Sequence, residues 1–496
     1  MQVEERVETT LIDRLVEFLS TKRLLLLLDN CEHLLDSVNE LLEAILGRTT
    51  NLDVLATSRQ RLGATGEQLL PVQPLPVPGD DPAASPAIAL FADRAAAVRP
   101  DFALTDDNLV VVAALCRHLE GLPLALELAA ARSVSWTPAE ILAEVTDRAG
   151  SLADRRRRID RHRSMSSVVA WSYDLLPPDE QAVCQRLAIF AGGWTADAAS
   201  TVVARDDLPG TAADEADEGD EGDRIILALT ALVEHSLIAA HNVVGRTRFS
   251  MLEPVRQYAE ARLSSAGGAD QARARHASWA VAFMETADAG LRGPDEAHWA
   301  TAIDAELANL RAAHQWCLAH DADRAARLAG ALFWYGYWYA PSEVFGWADQ
   351  TVEHFADAGQ PPLTGAFATA ALGAWRRGDL TRARTLALRG IETAPPDDPT
   401  SARFAWEALR TIEGLQGNYK QALACHQQAL ALARQVGDRC HEAHEHIVGA
   451  LALGYLGKID QAQTELDAAT RLLDASDYPS VRALCDYAAG EILVAV

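Results

Sequence analysis

The chain opens on a helical period. Val3, Val7, Leu11, Leu15 and Phe18 recur every three or four residues, which predicts an amphipathic helix beginning almost at Met1. The pattern then changes to an unbroken apolar run, Leu24 to Leu28, that ends on Asp29. Leucine on both faces is the pattern of a buried parallel strand, and such a strand delivers the next side chain to the edge of the sheet. EHLLDSVNELLEAIL (32–46) returns to the helical period, and LDVLATSR (52–59) reads as a second short strand. LGATGEQLLPVQPLPVP (62–78) predicts a turn, a third strand and a proline-rich exit. Strand and helix in alternation imply a parallel α/β sheet.

From Ser85 the period is helical, in SPAIALFADRAAAV and in DDNLVVVAALCRHLEGLPLALELAAARS, where Gly121 and Pro123 separate two helices. Residues 164–194 read as helix, turn, helix; 225–240 as a helix entering a strand; 247–263 as a strand and a last helix. Three helices with a small hairpin match the winged-helix pattern. The stretch 206–223 is too acidic and too poor in apolar residues to pack, and reads as a disordered insertion loop rather than a cation site. Beyond about Ala266 the pattern is helical and alanine-rich, and Gly378, Gly417 and Gly457 recur 39 and 40 residues apart. Each unit reads as a helix, a glycine-centred turn and a second helix, as in tetratricopeptide-like arrays, though longer than their roughly 34-residue period. Such arrays form concave surfaces that hold peptides or protein partners.

Length and charge narrow the classes. A chain of 496 residues is too long for one core. A net charge of -26 disfavours a grip on phosphate backbones, and so disfavours direct DNA binding. Seven scattered cysteines without a C-x-x-C pair suit a reducing compartment. With an acidic start in place of a signal peptide and no apolar run of membrane-spanning length, the expected location is cytoplasmic, with no membrane partner.

Taken in order, LLLLLDN, LATSR, GLPLALELAA, WSYDLLPPDEQ, LAIFAGGW and MLEPVRQYAEARL, followed by the repeats, resemble the NB-ARC-like signal-transduction ATPases of the STAND class found in AfsR-like and LuxR-like bacterial regulators. The resemblance implies a multidomain, mostly α chain: a partial P-loop domain (1–78), a helical domain (79–150), a winged helix (151–265) and a tetratricopeptide-like α-solenoid (266–496). It also implies a switch that holds ADP when closed, exchanges it for ATP and forms homo-oligomers. By that resemblance Asp29 matches the aspartate that holds Mg²⁺ through water, Asn30 follows it in the nucleotide site, and Arg59 matches the sensor arginine at the terminal phosphate. Gly121 and Pro123 match the segment packed beside the adenine. Leu252, in Met251-Leu252-Glu253, stands where many relatives carry a phosphate-binding histidine.

The departures decide the expected activity. No G-x-x-x-x-G-K-[ST] segment is present, and none of the three lysines, Lys22, Lys420 and Lys458, is followed by Ser or Thr. Asn30 replaces the acidic residue that often follows the aspartate. Glu32 is the nearby carboxylate left to act as a base, the alternative being a solvated helix start. A phosphate loop supplies several charge-assisted hydrogen bonds of roughly 1.5–3 kcal/mol each, against about 8 kcal/mol for micromolar affinity. Weak or absent nucleotide binding and no hydrolysis are therefore expected. ATP or ADP with Mg²⁺ would bind only with the loop restored. In the family's sheet the missing strands would flank these two, so Met1 is expected not to be the start of the functional unit, through a misassigned start or a truncated relic. No LuxR-type helix-turn-helix follows the repeats.

The sequence thus predicts a regulatory protein acting through its repeats. The alternatives are a fragment of an active ATP-dependent transcriptional regulator whose phosphate loop and output domain lie elsewhere, and a plain repeat scaffold. Three further stretches carry chemistry. RRRRIDRHR (155–163) is basic but precedes the winged helix's first helix, read from 164, rather than lying on its recognition helix; CHQQALALARQVGDRCHEAHEH (425–446) sets Cys440 and His444 on one helix face, as packing or as metal ligands; LFWYGYWYAPSEVFGW (332–347) is either core or a ligand groove, with Trp338 the test position.

Overall fold

The computed structural model describes residues 11–58, 60–77, 85–151, 161–203, 218–243, 245–357, 364–475 and 478–494. They form two compact units, one of Met1–Leu70, Ala280–Asp304 and His314–Val496, the other of Pro71–Trp279 and Ala305–Ala313.

The first unit begins with α1 (Leu11–Ser20), β1 (Leu24–Leu28), α2 (Leu35–Leu46) and β2 (Leu52–Ala56). β1 and β2 are parallel, Leu24 opposite Leu52 and Leu28 opposite Ala56. Val16 and Leu19 of α1 and Leu42 and Ile45 of α2 make a small core on which Leu24, Leu26 and Leu28 rest. The opposite face is bare, with Leu25 59%, Leu27 65% and Leu55 51% exposed. This corrects the expectation of a strand buried on both faces: the run is apolar throughout, but the core reaches only alternate side chains. The third strand expected within 62–78 does not form, and Leu70 and Val72 project into solvent. Pro71, Pro74 and Pro76 withhold the amide donors a ladder needs. The helix expected from residue 32 is interrupted, because Cys31–His33 is a 3₁₀ turn and Leu34 leaves helical geometry before α2.

The rest of this unit is helical, from the ends of α12 (Ala269–Gly290) and α13 (Glu296–His320) through α14 (Ala322–Ala331), α15 (Phe333–Tyr339), α16 (Ser342–Asp357), α17 (Thr364–Arg376), α18 (Leu380–Thr393), α19 (Pro399–Leu415), α20 (Tyr419–Val436), α21 (Arg439–Tyr455), α22 (Ile459–Asp474) and α23 (Pro479–Val494). Gly378, Gly417 and Gly457 sit between α17 and α18, α19 and α20, and α21 and α22, at φ of +84°, +77° and +72°. Each lets the following amide reach back to close the helix end, as Asp379 N does to Ala374 O at 2.9 Å. Asp379, directly after Gly378, caps α18 through its side chain, and Asp398 and Asp438 do the same for α19 and α21. The interior of α16 to α20 is alanine with interposed rings, Phe345, Phe367 and Phe404 among them. Gly373 is required by close approach, since a Cβ there would lie 2.6 Å from Phe345 Cβ.

The second unit holds α3 (Pro86–Val98), α4 (Asp106–His118), α5 (Pro123–Ala131) and α6 (Pro138–Ser151), then α7 (Arg161–Asp174), α8 (Pro178–Leu187), α9 (Ala196–Val202), α10 (Glu218–Glu234), the hairpin β3 (Ala239–Val243) and β4 (Arg246–Ser250), and α11 (Glu253–Ser265). Trp194 exchanges both backbone hydrogen bonds with Phe249, adding a bridge to the hairpin. α10 starts at Glu218, so the last six residues of the acidic stretch are helical rather than loop. Acidic residues are favoured in a helix's first turn by the unpaired amides there, which the composition argument overlooked. Residues 206–217 of that stretch lie outside the described residues.

Arg132 ties three helices of this unit together. It donates to Ser172 O and Oγ, faces His235 Nδ1 at 2.9 Å and stacks on Trp171. Asn309 holds the loop before Trp194 in the same manner, accepting from Ala191 N and Gly192 N and donating to Gly193 O.

Candidate functional site

Asp29 stands at the carboxyl end of β1, the end at which open parallel sheets bind ligands. Thr57, just past β2, organises it. The Thr57 hydroxyl donates to Asp29 Oδ1 and accepts from Asn30 N at 3.0 Å, while Thr57 N donates to Leu28 O at 2.8 Å and Thr57 O accepts from Cys31 N at 3.0 Å. Asn30 adopts a left-handed conformation, φ 58°, which turns the chain sharply away from the strand. A polar side chain tolerates that region better than most non-glycine residues do. Glu32 follows in the 3₁₀ turn, half-buried beside the buried Cys31. Burial first, then Glu32 and Asp29, push the Cys31 thiol up. The fold therefore brings Asp29, Asn30 and Glu32 to one strand end, with an exposed carboxylate able to order a hydrated cation or to accept a proton. Arg59 lies outside the described residues.

Gly121 and Pro123 belong to the second unit. Gly121 has φ +67°, its carbonyl accepts from Leu75 N at 2.9 Å, and a Cβ would meet Leu75 O at 2.1 Å. Pro123 is at the first turn of α5, where its missing N–H has no helical partner to lose. What the geometry gives this segment directly is anchorage for the proline-rich exit. Leu252 precedes α11 and is half exposed, while Glu253 is tied to Arg256.

Thr57 was legible in LATSR as a hydroxyl one residue past a strand, yet sequence reasoning passed over it. The Cys and His stretch proves to be interior: Cys425, Cys440, His426, His441, His444 and His446 are all buried. Phe333, Trp334, Tyr335, Phe345 and Trp347 of the aromatic stretch are buried as well, while Tyr339 keeps 38% of its surface exposed. Core packing accounts for most of that stretch. Of the basic run 155–163, residues 155–160 lie outside the described residues and Arg161 begins α7. Among the described residues no helix is long and apolar enough to cross a membrane.

No family model matches the chain. A protein of Mycobacterium tuberculosis H37Rv, provisionally described as an HTH-type transcriptional regulator, is 34% identical over 435 residues, covering 86% of this chain and 43% of its own length. A Mycobacterium bovis protein of the same description matches to the same extent. An uncharacterised M. tuberculosis protein is 39% identical over 267 residues, covering 53% of this chain and 63% of its own length. The chain thus spans less than half of the first two relatives. Among solved structures, a Signal Transduction ATPase with Numerous Domains (STAND) protein with a tetratricopeptide repeat sensor from Pyrococcus horikoshii aligns over 96% of this chain and 73% of its own, at 14% identity and a TM-score of 0.35.

Proposed function

We propose that the chain is a regulatory signal-transduction protein of STAND-class descent, whose repeats bind a protein or peptide partner and in which nucleotide binding is weak or lost. The observation that carries this reading is the strand end itself. Asp29 is held by Thr57 at the carboxyl end of a parallel strand, while these 496 residues contain no G-x-x-x-x-G-K-[ST] segment to supply the amides and lysine of a phosphate site. The relatives described as HTH-type transcriptional regulators agree with a regulatory role. The partial P-loop domain, helical domain, winged helix and repeat array, with the boundaries given above, are the parts of this reading.

Calorimetric titration of Mg·ADP and Mg·ATP into the folded 496-residue chain tests it. No heat at millimolar ligand is expected; binding tighter than about 10 µM, roughly 7 kcal/mol, would overturn it. A second reading is favoured by the bare leucines 25, 27 and 55, which a further layer packed on that face of the pair would cover. In that reading the phosphate loop is supplied by segments outside this chain and the assembly is an ATP-dependent regulator. Supplying such a segment should then protect Leu25 and Leu27 from hydroxyl-radical labelling and restore ADP binding; unchanged labelling would refute it.

A further inference from the structure

The interior of the repeats carries an unusual load of charge. Arg403, Glu407 and Arg410 recur at i, i+4 and i+7 on α19, facing His441, His444 and Glu445 of α21, and all six are buried. Arg403 Nη1 donates to Asp438 Oδ2 at 3.1 Å, and Arg403 Nε lies 3.7 Å from Glu407 Oε1. Arg410 Nε is 3.2 Å from Glu445 Oε1, and Glu445 Oε2 is 3.2 Å from His426 Nδ1. Rings close the cluster: Trp334 lies 4.2 Å from His441, and Trp334 and Tyr337 meet His444 edge-on at 5.2 and 5.3 Å.

Within this cluster all six side chains carry a buried atom without a hydrogen-bond partner, the guanidinium nitrogens of Arg403 and Arg410 among them, but only His444 has every polar side-chain atom unpartnered. Neither nitrogen of His444 has a hydrogen-bond partner, and the same holds for Glu407 Oε1 and Glu445 Oε1. His444 Nδ1 is 3.7 Å from Glu445 Oε1, too far for a hydrogen bond. A buried polar atom left unpaired costs about 1–3 kcal/mol; the two carboxylates have Arg403 and Arg410 beside them, whereas His444 has no group within hydrogen-bond reach. One ligand atom from each of Glu407, His444 and Glu445 lies within 4.8 Å of the others. The unpartnered atoms of Glu407, His444 and Glu445 are sealed from solvent, which leaves no place for a water molecule against them. An ion held at about 2.0–2.2 Å from nitrogen and oxygen spans ligand atoms up to about 4.4 Å apart, so the three side chains need close by only a few tenths of an ångström to hold one, without a water-sized cavity.

We propose that Glu407, His444 and Glu445 form a binding site for a divalent first-row transition metal ion that clasps α19 to α21. One imidazole and two carboxylates suit zinc, cobalt or manganese. Magnesium and calcium, which prefer oxygen alone, would leave His444 unpaired. His426, on the second oxygen of Glu445, fixes the orientation of that carboxylate. Arg403 and Arg410 compete for the same two carboxylates, so the ion binds less tightly than to a bare acidic cluster. Cys440 is not among the three ligands, although it shares α21 with His444.

The test uses the full chain without an affinity tag, equilibrated with Co²⁺ or Zn²⁺ and passed through a desalting column. One retained equivalent by mass spectrometry, visible d–d absorption with Co²⁺ and a higher Tm with metal are expected. Glu407→Gln and His444→Ala should each weaken retention at least 10-fold, with Cys440→Ser unchanged. Because His444→Ala opens a space in the core, the near-isosteric Glu407→Gln decides if the former fails to fold. A folded wild-type chain that retains no ion, or equal retention by wild type and Glu407→Gln, overturns the proposal, the latter by showing adventitious binding. Neither outcome bears on nucleotide binding at Asp29.

Discussion

The parallel pair β1–β2 and the array α17–α23 handle apolar and charged residues in opposite ways. In the pair, Leu25 and Leu27 face solvent, and the acidic residue that matters, Asp29, is exposed at the strand end. In the array, Ala, Phe and Leu fill the spaces between helices, and even Arg403, Glu407 and Glu445 are enclosed. A strand gains its second covered face only from another layer, whereas each helix hairpin is covered by the next repeat. The first region is therefore a surface in want of a neighbour. The second is complete enough to bury charges that cost several kcal/mol each to desolvate.

That contrast can be broken by substitution. The largest effect is expected from Arg403→Met. It leaves the buried Glu407 without the Arg403 guanidinium and takes one of three partners from Asp438, which keeps Arg292 and His441; chemical denaturation should show about 3–5 kcal/mol lost. A gain in stability instead would mean that packing outweighs the ion pairs.

The next effect concerns pH. Burial lowers His314 to about 4, with a hydrogen bond at Trp347 opposing in part. A histidine depressed in the folded state contributes stability that is whole above the unfolded value near 6.5 and is lost as pH falls toward 4. The loss over that window is about 3 kcal/mol, and His314→Gln should flatten the dependence of Tm on pH. An unchanged slope would assign the acid sensitivity elsewhere, His276 in the second unit being a candidate because burial lowers it to about 4 as well.

Smaller again is Gly417→Ala. Nothing lies within 4 Å of the added Cβ, so only the left-handed backbone resists, for roughly 1–2 kcal/mol by thermal denaturation. The smallest effect is Leu27→Ala, below about 0.5 kcal/mol, since little of that side chain is buried. Leu27→Glu should improve solubility with equally little loss. A cost of about 2 kcal/mol or more for Leu27→Ala would show that the strand's outer face is covered in solution, and would sharpen the case for a missing layer.

Much of the fold was legible because its signals are local. The helical periods read over 3–18 and 32–46 include the observed α1 and α2, the unbroken leucine run 24–28 and the stretch 52–59 include the two strands, and the spacing of Gly378, Gly417 and Gly457 marked turns at positive φ. The third strand was misread because apolar residues at 69–72 look like a strand until the ladder must be paired. The candidate site was legible in part. Asp29, Asn30 and Glu32 adjoin in sequence, whereas Thr57 reaches Asp29 only through the parallel register.

The sequence by itself determined the helical period, the glycine turns, the strand run ending on Asp29 and the absence of a G-x-x-x-x-G-K-[ST] segment from these 496 residues, because each depends on neighbouring residues. Tertiary structure decided which leucines are covered, that the aromatic stretch is largely core, and that Glu407 of one helix meets His444 and Glu445 of another. Those outcomes depend on contacts between residues far apart along the chain. No local pattern fixes which faces meet until the helices have packed.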